Sequence, residues 1–402
     1  SWRIAAALSP YLRTDIPAAP IRLIAAAAAS AAQVVEDLPG PAVANMTLAA
    51  AAKLDNEHDA TERHLRRARR LASRAGWLSG EATALRLLGN LYGNLQRIRA
   101  AVRCCEESLG VFQQLGDRGG QAINLHNSGM MYFLLGDLPH AAERAEQAFA
   151  LYESIDSLTG AAKALAALSQ VDVRLGRTRA ARERALKARD LAERSEDLRA
   201  LEFALTTLAE LQHTVGEHEA AEETLKAARS TGTTNPYTAI TAGYIAAGAA
   251  YARDNFAGTV IECETALPTA TRLGAASFTT QLQLRRAAGL CGLGRHDDAL
   301  AAVTAGIENA VTHEFGILHA LGRIELAWIR LARGELPEAA AAAREGLQLA
   351  ERLGDQLGVA HARAALAAVL EPTGDPAEVR QHHTAAAAFF DATEIPADLR
   401  RL

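Results

Sequence analysis

The chain has 402 residues, of which 49% are hydrophobic but only 5% aromatic, and its formal net charge is −5. That mild acidity argues against a nucleic-acid surface, which is usually clearly basic. No apolar run reaches the roughly 20 residues of a membrane span, the stretch Ile24–Val35 being short and nearly all Ala.

The chain opens at Ser1, directly inside a helical pattern over Trp2–Leu8, as expected of a fragment whose N-terminal part is missing. Residues 1–37 read as a degenerate first unit, a junction whose turn is made irregular by Pro10, Pro17 and Pro20. From there a turn marker returns at Asn56, Gln96, Gly136, Gly176, Gly216, Asp254, Gly294, Gly334 and Gly374. The spacing is 40 residues throughout, except 38 between Gly216 and Asp254. Small side chains keep phase with it. Seven residues before the markers stand Gly89, Gly129, Ser169 and Ala247, and five after them Ala101, Ala141, Ala181 and Thr259; only Val379 departs. A fixed period of this size means stacked units that bury their apolar faces on one another.

One unit shows the logic. Gln121–Leu135 carries apolar residues at helical spacing, Gly136-Asp137 stops it, and His140–Ser154 resumes with Ala141, Ala145, Ala148 and Leu151. Gly129 in mid-helix costs about 1 kcal/mol against Ala, and close approach of the second helix at Ala141 and Ala148 offsets it. The predicted fold is all-α, a right-handed α-solenoid of about nine to ten helix-turn-helix units. Residues 38–230 form a first half and 236–402 a second half with a C-terminal capping helix at Phe389-Phe390. Between them Ser230–Pro236 is a run of turn formers, read as either a hinge or a surface loop.

Chemistry is sparse. HExxH, GxSxG, P-loop and dinucleotide patterns are all missing from the sequence. His58 and His64 straddle a turn without ligand spacing, His382-His383 is no better, and neither a metal nor a cofactor is expected. Cys104, Cys105, Cys263 and Cys291 make no CxxC pair, which fits free thiols in a reducing cytoplasm. The Arg-rich segment Glu62–Arg74 reads as a solvated outer face, with a contact to a missing acidic domain or to nucleic acid as the sharper alternative.

The positions Leu85, Gly89, Tyr92, Ala101 and Ser108, with their counterparts Leu125, Gly129, Tyr132, Ala141 and Ala148, resemble the tetratricopeptide repeat. That repeat has a usual length of about 34 residues, while HEAT and armadillo units run to about 40–47. Leu-Gly-Asp at 115–117, 135–137 and 353–355 resembles the longer tetratricopeptide subclass, and the prolines typical of HEAT repeats are missing. The resemblance implies that the first helix of each pair lines a concave groove. It places Arg86, Asn90, His126, Met130, Phe133, Lys163, Gln170, Thr206, Glu210, His213, Tyr244, Tyr251 and Trp328 in or near that groove. Arg86 and Asn90 fall where peptide-binding members clamp a carboxylate.

The opening Trp2–Leu12 and the segment Leu115–Gly129 resemble the C-terminal sensor arrays of large actinobacterial transcription regulators, and the Arg and Ala enrichment separately suggests a GC-rich genome. If so, DNA-binding and nucleotide-binding domains precede this chain, which itself neither binds nucleic acid nor acts as an enzyme. The implied role is a cytoplasmic sensor taking a small molecule, peptide or protein in its groove. A free-standing interaction adaptor is the alternative. A solenoid enzyme would instead show converging, perturbed titratable groups such as His126, Glu210 and His213.

Overall fold

The computed structural model describes residues 18–35, 39–233, 235–372, 374–393 and 395. The expected Trp2–Leu8 helix, the turn at Pro10 and Pro17, and the tail at 398–402 lie outside them. The described residues form nineteen helices and no strand. In chain order these are α1 (Ala18–Val35), α2 (Gly40–Leu54), α3 (His58–Arg74), α4 (Leu78–Asn94), α5 (Ile98–Gln114) and α6 (Arg118–Leu135). Then come α7 (Leu138–Ser154), α8 (Leu158–Arg174), α9 (Thr178–Arg194), α10 (Leu198–Thr214), α11 (His218–Ser230), α12 (Pro236–Ala252) and α13 (Phe256–Arg272). The last six are α14 (Ala276–Gly292), α15 (His296–Thr312), α16 (Gly316–Ala332), α17 (Leu336–Leu353), α18 (Gln356–Leu370) and α19 (Pro376–Thr393).

Most helices are 17 residues long and most turns three, so the true beat is twenty residues and two beats make the forty. Each turn hangs on one left-handed residue. Eight of the nine expected markers adopt it, from Asn56 (φ 58°) to Gly334 (φ 75°), and the intervening turns repeat it at Gly76, Gly116, Asp156, Glu196, Gly274, Glu314 and Gly354. The hydrogen bonds are those of a Schellman cap: Asn56 N–H donates to Lys53 O (3.1 Å) and Glu57 N–H to Ala52 O (2.8 Å). Gly374 differs. It has no positive φ, and its N–H reaches Leu370 O at 2.6 Å in a turn between Pro372 and Pro376.

The small positions are contact points. A Cβ on Gly89 would sit 3.0 Å from Cys105 Sγ and 3.5 Å from Ala101 O. Where the residue is a hydroxyl, it bonds across the same gap, Ser169 Oγ to Ala181 O (2.8 Å) and Thr259 Oγ1 to Ala247 O (3.2 Å). The 38-residue interval also has a cause. Helix α11 is 13 residues long, one turn short, and the turn after it is longer. Residues on both sides of that turn, Ala221 and Leu225 before it and Ile245 after it, share one apolar cluster.

The chain divides into two compact units, 1–131 and 132–402, with the boundary inside α6. In the first, Ala42, Met46, Leu65, Leu88 and Tyr92 carry the core. In the second, the first helices of successive pairs (α8, α10, α12, α14, α16, α18) each pack on the next, whereas second helices meet across repeats through long side chains such as Lys187 on α9 with Glu153 on α7 (3.6 Å). The first helices are therefore the inner, tighter layer. The second unit also closes on itself. The Arg174 guanidinium on α8 pairs with Asp355 before α18, Thr178 Oγ1 donates to Thr393 O (2.8 Å), and Phe389 and Phe390 pack by Gly176 and Val173. Gly316 meets Leu135 so closely that a Cβ would lie 2.3 Å from its carbonyl oxygen.

Candidate functional site

The predicted groove residues fall into both units, and each unit stands by itself. In the first, Arg86 and Asn90 (α4) and His126 and Met130 (α6) are all partly buried. Asn90 Oδ1 accepts from Asn127 Nδ2 at 2.9 Å, an amide ladder one repeat long.

The second unit holds the rest, and its inner layer is polar to an unusual depth. Lys163 and Gln170 come from α8, Thr206, Glu210 and His213 from α10, Tyr244 and Tyr251 from α12, and Trp328 from α16. Gln170 Nε2 donates to Glu210 Oε2 at 3.0 Å, again from one repeat to the next. Burial pushes the Glu210 carboxyl up to about 7, against the pull of that hydrogen bond. Its side chain keeps some contact with solvent, so the desolvation is that of an interior face and not of a sealed core.

His213 is 4% exposed and points the other way. Its ring lies edge-on to Tyr244 (5.8 Å between centroids), and its Nδ1 is 3.1 Å from Nδ1 of His218. Burial holds it well below the usual histidine range, with the charge of Arg285 adding to the effect. Glu210 thus faces α8 while His213 faces α12. Both are perturbed by burial, and His126 belongs to the first unit.

Several expected groove residues have local duties. Phe133 packs with Leu138, Val171 and Ile317, Trp328 lies against the core around Ile324 and Ile329, and Thr206 Oγ1 donates to its own helix at Glu202 O (2.8 Å). Sequence reasoning missed Arg285 on α14, which is 4% exposed with Cζ 5.5 Å from the Tyr244 ring centroid and 5.8 Å from that of Tyr251. It stands nine residues before its turn marker, one off the register in which Tyr244 stands ten before its own. It also missed the Asp172–Arg184 pair (2.6 Å), where burial pushes the carboxyl up despite the arginine.

Outside the inner layer, Arg66 and Arg97 pair with Glu62 (2.8 and 3.1 Å) and Arg69 with Glu107 (2.7 Å), so part of the Arg-rich face is neutralised in place. His64 Nδ1 lies 3.2 Å from Asn45 Oδ1, and among the described residues no group of three acidic, His or Cys side chains could share an ion. Burial pushes the Cys105 and Cys263 thiols up to about 12, which makes them packing groups and not nucleophiles. No described helix is long and apolar enough to cross a membrane.

This architecture is an all-α repeat solenoid with a polar inner layer, the class of scaffold that binds along its concave face. Residues 80–154 match the tetratricopeptide-repeat family, and the other units repeat the same caps and small-residue contacts. A search of curated proteins gives no match. Among solved structures, a Rap protein complexed with competence and sporulation factor superposes with a TM-score of 0.62 at 16% identity, over 88% of this chain and 97% of that one. The apo form of RapI gives 0.48 at 12% identity over 68% and 98% of the two chains. A Signal Transduction ATPase with Numerous Domains (STAND) protein with a tetratricopeptide repeat sensor, from Pyrococcus horikoshii, gives 0.47 at 14% identity, over 87% of this chain and 53% of that one. Only the first is similar enough to bear on the fold.

Proposed function

We propose that this chain is a ligand-sensing tetratricopeptide domain of a larger, cytoplasmic bacterial transcription regulator, and not an enzyme. The reading is carried by the inner layer of the second unit. Glu210, His213 and Arg285 are buried there at a cost that packing alone would avoid by using apolar residues. Polar groups held in a desolvated concave face serve orientation of a bound molecule. A solved protein of similar fold carries a bound factor, which supports the same use of this scaffold. DNA-binding and nucleotide-binding domains would lie elsewhere in the full protein. Occupancy of the groove would favour one of its states by the difference in affinity between them.

Native mass spectrometry of freshly purified chain tests the reading. A small-molecule adduct that is lost in Tyr244→Ala supports the sensor. A co-purifying peptide would favour the adaptor instead. A bound molecule retained unchanged in both Arg86→Ala and Tyr244→Ala would remove the groove assignment.

A further inference from the structure

Helix α12 turns one face toward the space between α10 and α14, and that face reads Tyr244, Gly248, Tyr251, spaced at four and three residues. Gly248 makes a trough between the two rings. A Cβ there would lie 2.1 Å from His213 Cε1, so the trough exists to seat the His213 imidazole arriving from α10. From the opposite neighbour, α14, Arg285 reaches in and lies against both tyrosine rings at 5.5 and 5.8 Å.

The guanidinium is under-used. Among the described residues it has no carboxylate within ion-pair distance, and its one hydrogen bond is a long one, Nη2 to Tyr244 Oη at 3.5 Å. A guanidinium has five N–H donors, so most of this one's donors are unspent. The residue is 4% exposed, so these donors are withdrawn from bulk solvent as well. Of the titratable groups near it, His213 and His218 are driven toward neutrality, mainly by burial and in part by Arg285 itself, and Arg253 is turned to Glu222 (3.9 Å).

An unpaired buried cation is unfavourable, and two ring contacts offset only part of that. What closes the gap is an oxyanion. We infer that Arg285, flanked by Tyr244, Tyr251 and His213, is the receptor for one anionic group, a carboxylate or a phosphate, on the molecule that occupies the inner face of the second unit. The planar fork of the guanidinium takes either group in bidentate fashion. The tyrosine rings fix the plane of the fork, and the Tyr244 hydroxyl stands beside it as a further donor.

The inference deepens the groove reading and rests on it, but its test does not need the natural ligand. Isotope-labelled protein is titrated with inorganic phosphate and, separately, with acetate, at constant ionic strength set with chloride, while the Arg285 Nε–H and the Tyr244 and Tyr251 ring resonances are followed. Saturable shifts confined to these groups are expected, and the stronger of the two titrations names the anion. In Arg285→Lys, which keeps the charge but loses the fork, affinity should fall at least tenfold, while Arg179→Lys on the exposed side of α9 leaves it unchanged. Absence of a saturable shift with both anions overturns the inference, as does equal affinity in Arg285→Lys. Anion binding without any groove ligand would sink the sensor reading alone; a groove ligand with no anion response would sink this inference alone.

Discussion

Replacing Glu210 by Gln should stabilise the protein, and only above a defined pH. The carboxyl stands at about 7 in the folded chain against an ordinary value of 4.5, because burial disfavours its charge. Between those two values the unfolded chain has lost the proton and the folded chain still holds it. The folded state then binds more protons, so stability falls as pH rises through the window and levels off above 7. The gap corresponds to a ceiling of about 3 kcal/mol, at 1.36 kcal/mol for each tenfold step. It is a ceiling because the side chain keeps some solvent contact. Gln is isosteric, has no charge to desolvate, and can still accept the 3.0 Å bond from Gln170. Urea denaturation of both proteins at pH 5 and pH 8 reads the difference directly, since contributions from all other groups cancel between them. The variant should gain up to about 3 kcal/mol at pH 8 and less than about 1 kcal/mol at pH 5. An equal difference at both pH values, or a less stable variant at pH 8, would refute the argument.

Three further substitutions probe the scaffold. Gly316→Ala places a methyl 2.3 Å from the Leu135 carbonyl oxygen and should cost about 1–3 kcal/mol, read as a lower Tm; an unchanged Tm would mean that the contact is loose. Asp355→Ala removes both the cap on Gly358 N–H (3.0 Å) and the partner of the nearly buried Arg174, at a cost of about 3–5 kcal/mol. Asp355→Asn keeps the cap and should recover part of it, with faster hydrogen exchange in α18 and α19 as the local signature. Glu196→Gly relieves a left-handed residue at an exposed turn and should raise stability by about 0.5–1 kcal/mol; destabilisation would show that the Glu196 side chain contributes more than the strain costs.

The solenoid was readable because its markers are chemical. Asn56, Gly136 and Gly176 sit where a left-handed turn needs them, and Ser169 opposite Ala181 sits where two helices meet. The twenty-residue half-beat was hidden because its turns carry Gly76, Asp156, Glu196 and Glu314, side chains with nothing in common except tolerance of a positive φ. Closure of the second unit was illegible, since Arg174 and Asp355 are 181 residues apart and nothing in the local pattern ties them. Among the predicted groove residues, Gln170, Glu210, His213, Tyr244 and Tyr251 lie on the inner helices, where the repeat register puts them. Arg285 escaped by one residue of register. It reaches the same face from α14, against the rings of Tyr244 and Tyr251.

The central claim is that the inner layer of the second unit is where this protein is occupied. Hydrogen exchange of the chain as purified, compared with the same material after exhaustive dialysis to strip bound molecules, tests it most directly. The account predicts that protection is lost in α8, α10, α12 and α14 and unchanged in the outer helices α9, α11 and α13. Loss centred on the outer helices, or no change anywhere, would contradict it.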